Sequence, residues 1–139
     1  MAWEVIPPAA QCPRSSTILI VEEDDDIGVF LKQLIEEETP YQTTVFSDGF
    51  QAPEKAPEVY PCLMLLDYRL PGINGIELYD LLQEKTETSG VPAIMMRATL
   101  PVTELQRRGI HQLRKPMDIG NVIRMITHAL ATAEEKALY

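Results

Sequence analysis

Cysteine and positive charge are both scarce in this chain of 139 residues. Its two cysteines, Cys12 and Cys62, form neither a CxxC pair nor another metal-binding spacing, so we expect reduced thiols rather than a zinc site or a disulfide framework. The 12 Lys and Arg residues are outnumbered by 21 Asp and Glu residues, which gives a formal charge of −9. This balance disfavours binding to nucleic acid or to anionic membranes, and it favours proteins, cations or cationic ligands as partners.

Long apolar runs are also missing. No segment approaches the roughly 20 apolar residues that a membrane-spanning helix needs. Residues 1–16 lack the basic start of a secretory signal, and Pro7 and Pro8 interrupt their short apolar stretch. We interpret 1–16 as a Pro-rich N-terminal extension, 17–131 as a single domain, and 132–139 as the end of the last helix or a tail. We therefore expect a cytoplasmic protein without a membrane partner.

Short apolar runs alternate along the chain with segments of helical spacing. Apolar residues recur at i, i+3, i+4 and i+7 between Ile27 and Ile35, with acidic residues 24–26 placed to cap that helix. Similar spacing predicts helices over 75–85 and from Ile119 to Leu130, the latter with Asp118 as N-cap. Buried strands are predicted over residues 17–21, 43–46, 62–66 and 93–96, with a weaker fifth strand near 110–113.

Two further helical segments should be short. Residues 51–60 contain Pro53 and Pro57, which should not both fit inside one helix because each lacks an amide hydrogen and crowds the preceding turn. Residues 100–109 have Pro101 near their start and Gly109 as their stop. Strands that alternate with helices predict an α/β fold, with a parallel sheet covered by helices on both faces.

Charged residues stand where the predicted strands end. Glu22 and Glu23 follow the first strand, Asp67 ends the third, Arg97 follows the fourth, and Lys115 follows the fifth. Because ligands bind beyond the carboxyl ends of the strands in such sheets, we expect these side chains to share one pocket. Three carboxylates in one cleft repel each other unless a cation neutralises them, and oxygen ligands of this kind suit magnesium.

Three motifs make the chain resemble the receiver domains of two-component response regulators. The most specific is LMLLDYRLPGINGIEL, residues 63–78, in which Asp67 stands at the phospho-acceptor position. ILIVEEDDDI, residues 18–27, matches the acidic motif after the first strand, and LRKPMD, residues 113–118, matches the Lys-Pro motif after the fifth. The resemblance implies a flavodoxin-like, doubly wound sheet of five parallel strands in the order 2-1-3-4-5, with short second and fourth helices.

The resemblance also implies a role for each matching residue. Asp67 would accept a phosphoryl group from a histidine kinase or a phosphotransfer protein. Glu22, Glu23, Asp67 and the backbone carbonyl of Arg69 would bind Mg²⁺, and Lys115 would pair first with the carboxylate and then with a phosphoryl oxygen. Because no further domain follows in this sequence, the signal should pass to a downstream output protein. The chain should not be an enzyme beyond this Mg²⁺-dependent self-reaction, and a homodimer is left open.

The sequence departs from the family's pattern at three positions. Arg97 stands where a Thr or Ser hydroxyl normally binds the phosphoryl group, and Thr99 is a poor substitute two residues later. Gln112 stands where the family usually has a switch Tyr or Phe. Glu23 replaces an Asp, and its extra methylene places the carboxylate farther from the backbone than a metal bond tolerates without adjustment.

These departures leave several readings open. Arg97 pairs with Glu22, Glu23 or Asp67 and takes the place of the metal, or it helps to hold a phosphate, or it faces solvent without a role. The first reading favours a degenerate receiver, which acts as an interaction module without phosphorylation. An aspartate-nucleophile phosphohydrolase is disfavoured because Arg69 stands where a second Asp is expected. A flavin-binding module is disfavoured by the acids after the first strand, which would repel a phosphate.

Overall fold

The computed structural model describes residues 16–97, 101–115 and 118–138, with the backbone alone for 134–138. The expected Pro-rich extension up to residue 15, and also Thr99 and Pro116, lie outside these described residues. Within them, five α-helices and seven strands follow in this order: β1 (Thr17–Val21), α1 (Asp25–Glu38), β2 (Gln42–Phe46), α2 (Ala52–Val59), β3 (Leu63–Asp67), β4 (Arg69–Leu70), β5 (Ile73–Asn74), α3 (Gly75–Gln83), β6 (Ala93–Met96), α4 (Val102–Arg108), β7 (His111–Leu113) and α5 (Ile119–Leu138).

Five of the strands form a parallel sheet in the order β2-β1-β3-β6-β7. Counted over these five strands, the order is 2-1-3-4-5, so the predicted doubly wound α/β fold is confirmed. Strands β4 and β5 form a separate two-stranded antiparallel hairpin that the apolar pattern did not predict. Its turn contains Gly72 at φ 75°, a conformation that residues with a Cβ rarely adopt.

The central strands β1, β3 and β6 are buried on both faces, because successive side chains along a strand point to opposite sides of the sheet. In β1, Ile18 and Ile20 pack on the side of α1 and α5, while Leu19 and Val21 pack on the side of α2, α3 and α4. The carboxyl ends of β1, β3 and β6 therefore lie together at one edge of a sheet that has a hydrophobic cluster on each face. In the described ranges, no helix combines the length and apolar character required to cross a bilayer.

The second and fourth helices are short, as predicted, with eight and seven residues. The expectation that Pro53 and Pro57 could not share a helix is wrong, because both lie within α2. Pro53 lies in the first turn, where its amide hydrogen would have no partner in the helix. Pro57 lies near the other end, and α2 ends two residues later at Val59, followed by the capping residue Tyr60, whose φ is 53°. The helix accommodates the second proline by being only about two turns long.

Candidate functional site

A cavity of about 220 Å³ opens at the carboxyl ends of the central strands. Glu22 follows β1, Asp67 ends β3, and Lys115 follows β7, so three separate segments contribute to one site. Parallel strands bring such residues together because all of their carboxyl ends lie at the same edge of the sheet. The residues that line the cavity are Glu22, Glu23, Asp24, Ile27, Asp67, Arg69, Arg97 and Lys115.

Two carboxylates and one ammonium group form the centre of the site. The side chains of Glu22 and Asp67 are only 1% and 5% exposed. Lys115 Nζ lies 3.1 Å from both carboxylate oxygens of Glu22 and 3.7 Å from Asp67 Oδ2. Lys115 therefore donates to Glu22 and contacts Asp67 more weakly.

The crowding of buried negative charge changes the protonation of Glu22. Burial, and then repulsion from Asp67, raise the pKa of Glu22 from its ordinary 4.5 to about 7, against the opposing effect of Lys115. One ammonium group does not fully compensate two desolvated carboxylates. The protonated form of Glu22 is therefore favoured more than that of an exposed glutamate.

Backbone contacts hold Asp67 in place. The Arg69 amide donates to Asp67 Oδ1 at 3.2 Å, and the Gly75 amide donates to the Tyr68 carbonyl oxygen at 2.7 Å. An added Cβ at Gly75 would lie 2.7 Å from the Asp67 carbonyl oxygen and would collide with Met95 Sδ. The start of α3 can therefore approach the end of β3 only because residue 75 lacks a side chain. Sequence reasoning placed Gly75 at a helix start and missed this close approach.

Arg97 lines the same cavity and is half-buried. Its amide donates to the Leu113 carbonyl oxygen at 3.3 Å, and its own carbonyl oxygen accepts the Lys115 amide at 3.2 Å. These two bonds place Arg97 and Lys115 side by side on neighbouring segments. Among the described residues, the Arg97 guanidinium makes no ion pair with Glu22, Glu23 or Asp67, and Lys115 takes the pairing with Glu22.

The other predicted positions do not join the centre of the site. Glu23 is exposed at the rim of the cavity, and Asp24 caps α1 by accepting from the amides of Asp26 and Ile27 at 2.9 and 3.2 Å. Gln112 is half-buried and does not line the cavity of Asp67. It lines a separate cavity of about 450 Å³ against α5, with Arg114, Asn121, Arg124, Met125 and His128 among the lining residues.

The donor set around Asp67 is compatible with a magnesium ion. Glu22 and Asp67 supply two carboxylates, and Arg69 lines the same cavity. Mg²⁺ commonly takes one or two protein carboxylates and completes its octahedron with water. Within the residues that the structure describes, no three His, Cys, Asp or Glu side chains group around a common metal position, so Glu23 does not add a third carboxylate.

Comparisons with known proteins agree with this architecture. The response regulator receiver domain family model matches residues 18–127. The chain is 35% identical over 81 residues to the phosphate regulon transcriptional regulatory protein PhoB of Rhizobium meliloti, covering 58% of this chain and 35% of PhoB. It is 32% identical over 120 residues to the nitrate/nitrite response regulator protein NarL of Escherichia coli, covering 84% of this chain and 55% of NarL. The chain thus spans about half, or less, of the length of these relatives.

A solved structure shows the same fold. The receiver domain of the sensor histidine kinase PA1611 from Pseudomonas aeruginosa has a TM-score of 0.73 and 22% identity, covering 83% of this chain and 97% of that chain. Its structure contains a magnesium ion coordinated in the active site cleft. From the matched family model, we conclude that the chain belongs to the response regulator receiver domain family. It is a signalling module of the two-component type, and the predicted family is confirmed.

Proposed function

We propose that this receiver domain accepts a phosphoryl group on Asp67 and passes the signal to a partner protein. The observation that carries the proposal is the position of the Asp67 carboxylate. It is buried at the end of β3, lies 3.7 Å from Lys115 Nζ, and borders an open cavity large enough for a phosphoryl group. A carboxylate held in this way can act as a nucleophile without rearrangement of the strand that carries it.

The proposed reaction is a direct transfer between two protein side chains. An Asp67 carboxylate oxygen attacks the phosphorus of a phosphohistidine, an O–P bond forms, the P–N bond breaks, and the imidazole leaves and takes up a proton. The phosphoryl oxygens carry most of the negative charge during this transfer. Lys115, which lines the same cavity, neutralises part of that charge.

Magnesium is the cofactor that this site would use. Glu22 and Asp67 would hold it as carboxylate ligands, and the backbone carbonyl of Arg69 is the third protein ligand that we propose. When bound, the ion supplies positive charge that neutralises the phosphoryl oxygens. Glu23 is at the rim and would contribute through water.

The partners follow from the reaction and from the family. A histidine kinase or a phosphotransfer protein supplies the phosphoryl group, and an output protein or domain reads the phosphorylated state. We place the protein in the cytoplasm, where such kinases present their phosphohistidine. No direct contact with nucleic acid is proposed for residues 17–131, whose acidic character disfavours it.

A second candidate function is a receiver that binds its partner without phosphorylation. The position of Arg97 favours it, because an arginine lines the cavity where the family places a hydroxyl. In that case the constant positive charge of Arg97 would take the place of the metal ion and hold the domain in one state.

Labelling with a small phosphodonor tests the proposal. The protein is incubated with Mg²⁺ and acetyl phosphate, and intact mass spectrometry then measures the fraction that carries one added phosphoryl group. We expect the wild type to be labelled and Asp67→Asn to remain unlabelled, because an amide nitrogen or oxygen is a far weaker nucleophile than a carboxylate. Asp25→Asn, at an exposed acid in the first turn of α1, is the matched control and should label like the wild type.

Two results of this labelling experiment would contradict the proposal. Labelling of Asp67→Asn at the wild-type level would exclude Asp67 as the acceptor. If the wild type stays unlabelled while Arg97→Thr acquires the adduct, the phosphorylation-independent module is favoured instead. Circular dichroism of each variant checks that an unlabelled protein is folded.

A further inference from the structure

A second cavity lies between the end of β7 and helix α5, and it shares no lining residue with the cavity around Asp67. Its volume is about 450 Å³, against about 220 Å³ at Asp67, and this falls within the range of cavities that bind small molecules. Residues 112–114 line one wall, and one face of α5 lines the other. The α5 residues are spaced by one, three and four positions, so they share a face of the helix. They are Asn121, Arg124, Met125 and His128.

Positive charge is concentrated in this cavity, which we call the β7–α5 cavity. Arg114 and Arg124 contribute two guanidinium groups, and His128 contributes an imidazole. None of the described carboxylates lines the cavity, although Asp and Glu outnumber Lys and Arg by 21 to 12 in the chain. The folded chain therefore collects cations here against its overall charge balance, and an anion is the complementary ligand.

The two arginines are not neutralised by a described carboxylate. Arg108 of α4 shows the contrast, because it pairs with Asp80 and Glu104. Arg114 and Arg124 form no such ion pair within the described ranges. An anion could therefore bind both guanidinium groups without displacing a described carboxylate.

Neighbouring side chains orient Arg124 and His128. Arg124 Nη2 donates to Asn121 Oδ1, and Asn121 Nδ2 in turn donates to Asp118 Oδ2 at 3.0 Å. The His128 ring packs edge-on against the His111 ring, with the centroids 5.2 Å apart. Side chains that are already oriented lose less conformational entropy when a ligand binds. These contacts therefore favour a specific site over a loosely solvated pair of charges.

The β7–α5 cavity also has an apolar wall. Leu113 is 5% exposed, and Met125 is half-buried and packs against the core. A thioether side chain packs favourably against an aromatic ring. The half-buried Gln112 carries an amide, which offers a donor and an acceptor to polar atoms of such a ring. An aromatic group that carries a phosphate therefore matches this lining better than inorganic phosphate does.

We propose that the β7–α5 cavity is a binding site for an aromatic phosphate of mononucleotide size. Arg114 and Arg124 donate to the phosphate oxygens, and the His128 imidazole donates one further hydrogen bond. The aromatic ring packs on the apolar wall. This site is separate from phosphoryl transfer on Asp67 and does not depend on it. Because Arg114 directly precedes Lys115, a bound ligand would contact the chain segment that carries the ammonium group of the Asp67 site.

Titration with 5′-AMP tests both the binding and its location. Two-dimensional amide NMR of the nitrogen-labelled protein, in buffer without Mg²⁺, measures the affinity and maps the shifted residues. We expect the largest shifts in residues 112–114 and 121–128, and small shifts around Asp67. Adenosine and inorganic phosphate should each bind at least about tenfold more weakly than 5′-AMP, because the first lacks the charge-assisted contacts and the second lacks the ring.

Substitution of the arginines tests their role. Arg114→Gln and Arg124→Gln should each weaken 5′-AMP binding at least about tenfold, because each removes a charge-assisted contact with the phosphate. Arg107→Gln is the matched control, since it removes the same charge from a side chain of α4 that is 69% exposed and does not line the cavity. We expect it to change the affinity by less than about threefold. Unfolding midpoints of the free variants that equal the wild-type value would exclude a general loss of structure.

Three results would overturn this site. The first is that neither 5′-AMP nor phenyl phosphate shifts the amides that line the cavity, and the second is that the shifts centre on Asp67. The third is that Arg107→Gln weakens binding as much as Arg124→Gln does, since a general effect of charge would then explain both. If no probe binds and sedimentation velocity shows a dimer that Arg124→Gln dissociates, the cavity instead receives acidic side chains of a second copy. All these measurements use unphosphorylated protein, so their failure leaves the proposed function of Asp67 standing.

Discussion

Gly75→Ala should lower the free energy of unfolding by about 2–3 kcal/mol, because the new methyl group has no space in a closely packed junction. The added Cβ would collide with Met95 Sδ, and it would lie 2.7 Å from the Asp67 carbonyl oxygen and 2.9 Å from the Tyr68 Cα atom. Backbone atoms cannot relieve such a clash by a change of rotamer, as a flexible side chain can. The start of α3 must therefore move away from β3. Chemical denaturation measures the resulting loss in the free energy of unfolding.

Gly120→Ala is the matched control, since both glycines lie in the first turn of a helix. At Gly120 the nearest atoms to an added Cβ belong to the end of the long Arg124 side chain, at 3.1 Å, and to the Asp118 carboxylate, at the ordinary contact distance of 3.4 Å. Alanine is also the better helix former by up to about 1 kcal/mol. We therefore expect Gly120→Ala to be neutral or slightly stabilising. An equally stable Gly75→Ala variant would show that the junction between β3 and α3 is looser than the structure indicates.

The main sheet could be predicted because its sequence pattern is simple. Residues 17–21 and 93–96 are short apolar runs between polar segments, and both have the predicted bounds in the structure. The β4–β5 hairpin could not be predicted in this way, since two-residue strands have no periodicity to detect. The prediction that Pro53 and Pro57 could not share a helix failed because proline is unfavourable in the interior of a long helix. Helix α2 has only eight residues, so most of its positions belong to its first or last turn.

The candidate site could be predicted in outline because strand ends converge in any parallel sheet. Which side chains touch there could not be predicted. Glu22 and Glu23 are neighbours of the same type, yet one is buried against Lys115 and the other is exposed, and both lie after the end of β1, where no periodic pattern predicts the direction of a side chain. Likewise, the distances that separate Lys115 from Glu22 and Asp67 depend on the loop after β7, which carries no periodic pattern.

The free energy of unfolding of the wild type should fall as the pH rises from about 5 to about 8 in the presence of a chelator. The pKa of Glu22 is raised in the folded protein, from its ordinary 4.5 to about 7, first by burial and then by Asp67. The folded state therefore holds a proton that the unfolded chain has already released. The stability that protonated Glu22 contributes is fully present below pH 4.5 and is lost as the pH rises through about 7.

Glu22→Gln should remove this part of the pH dependence. A neutral amide causes no repulsion with Asp67 and leaves Lys115 available to pair with that carboxylate. We expect the free energy of unfolding of the variant to be about 2 kcal/mol higher than that of the wild type at pH 8. At pH 5 the two values should agree within about 1 kcal/mol, as measured by urea denaturation in metal-free buffer. Glu37→Gln, at an exposed position of α1, is the control and should leave the pH profile unchanged. A variant that is less stable than the wild type at both pH values would show that the Glu22–Lys115 ion pair outweighs the burial of charge.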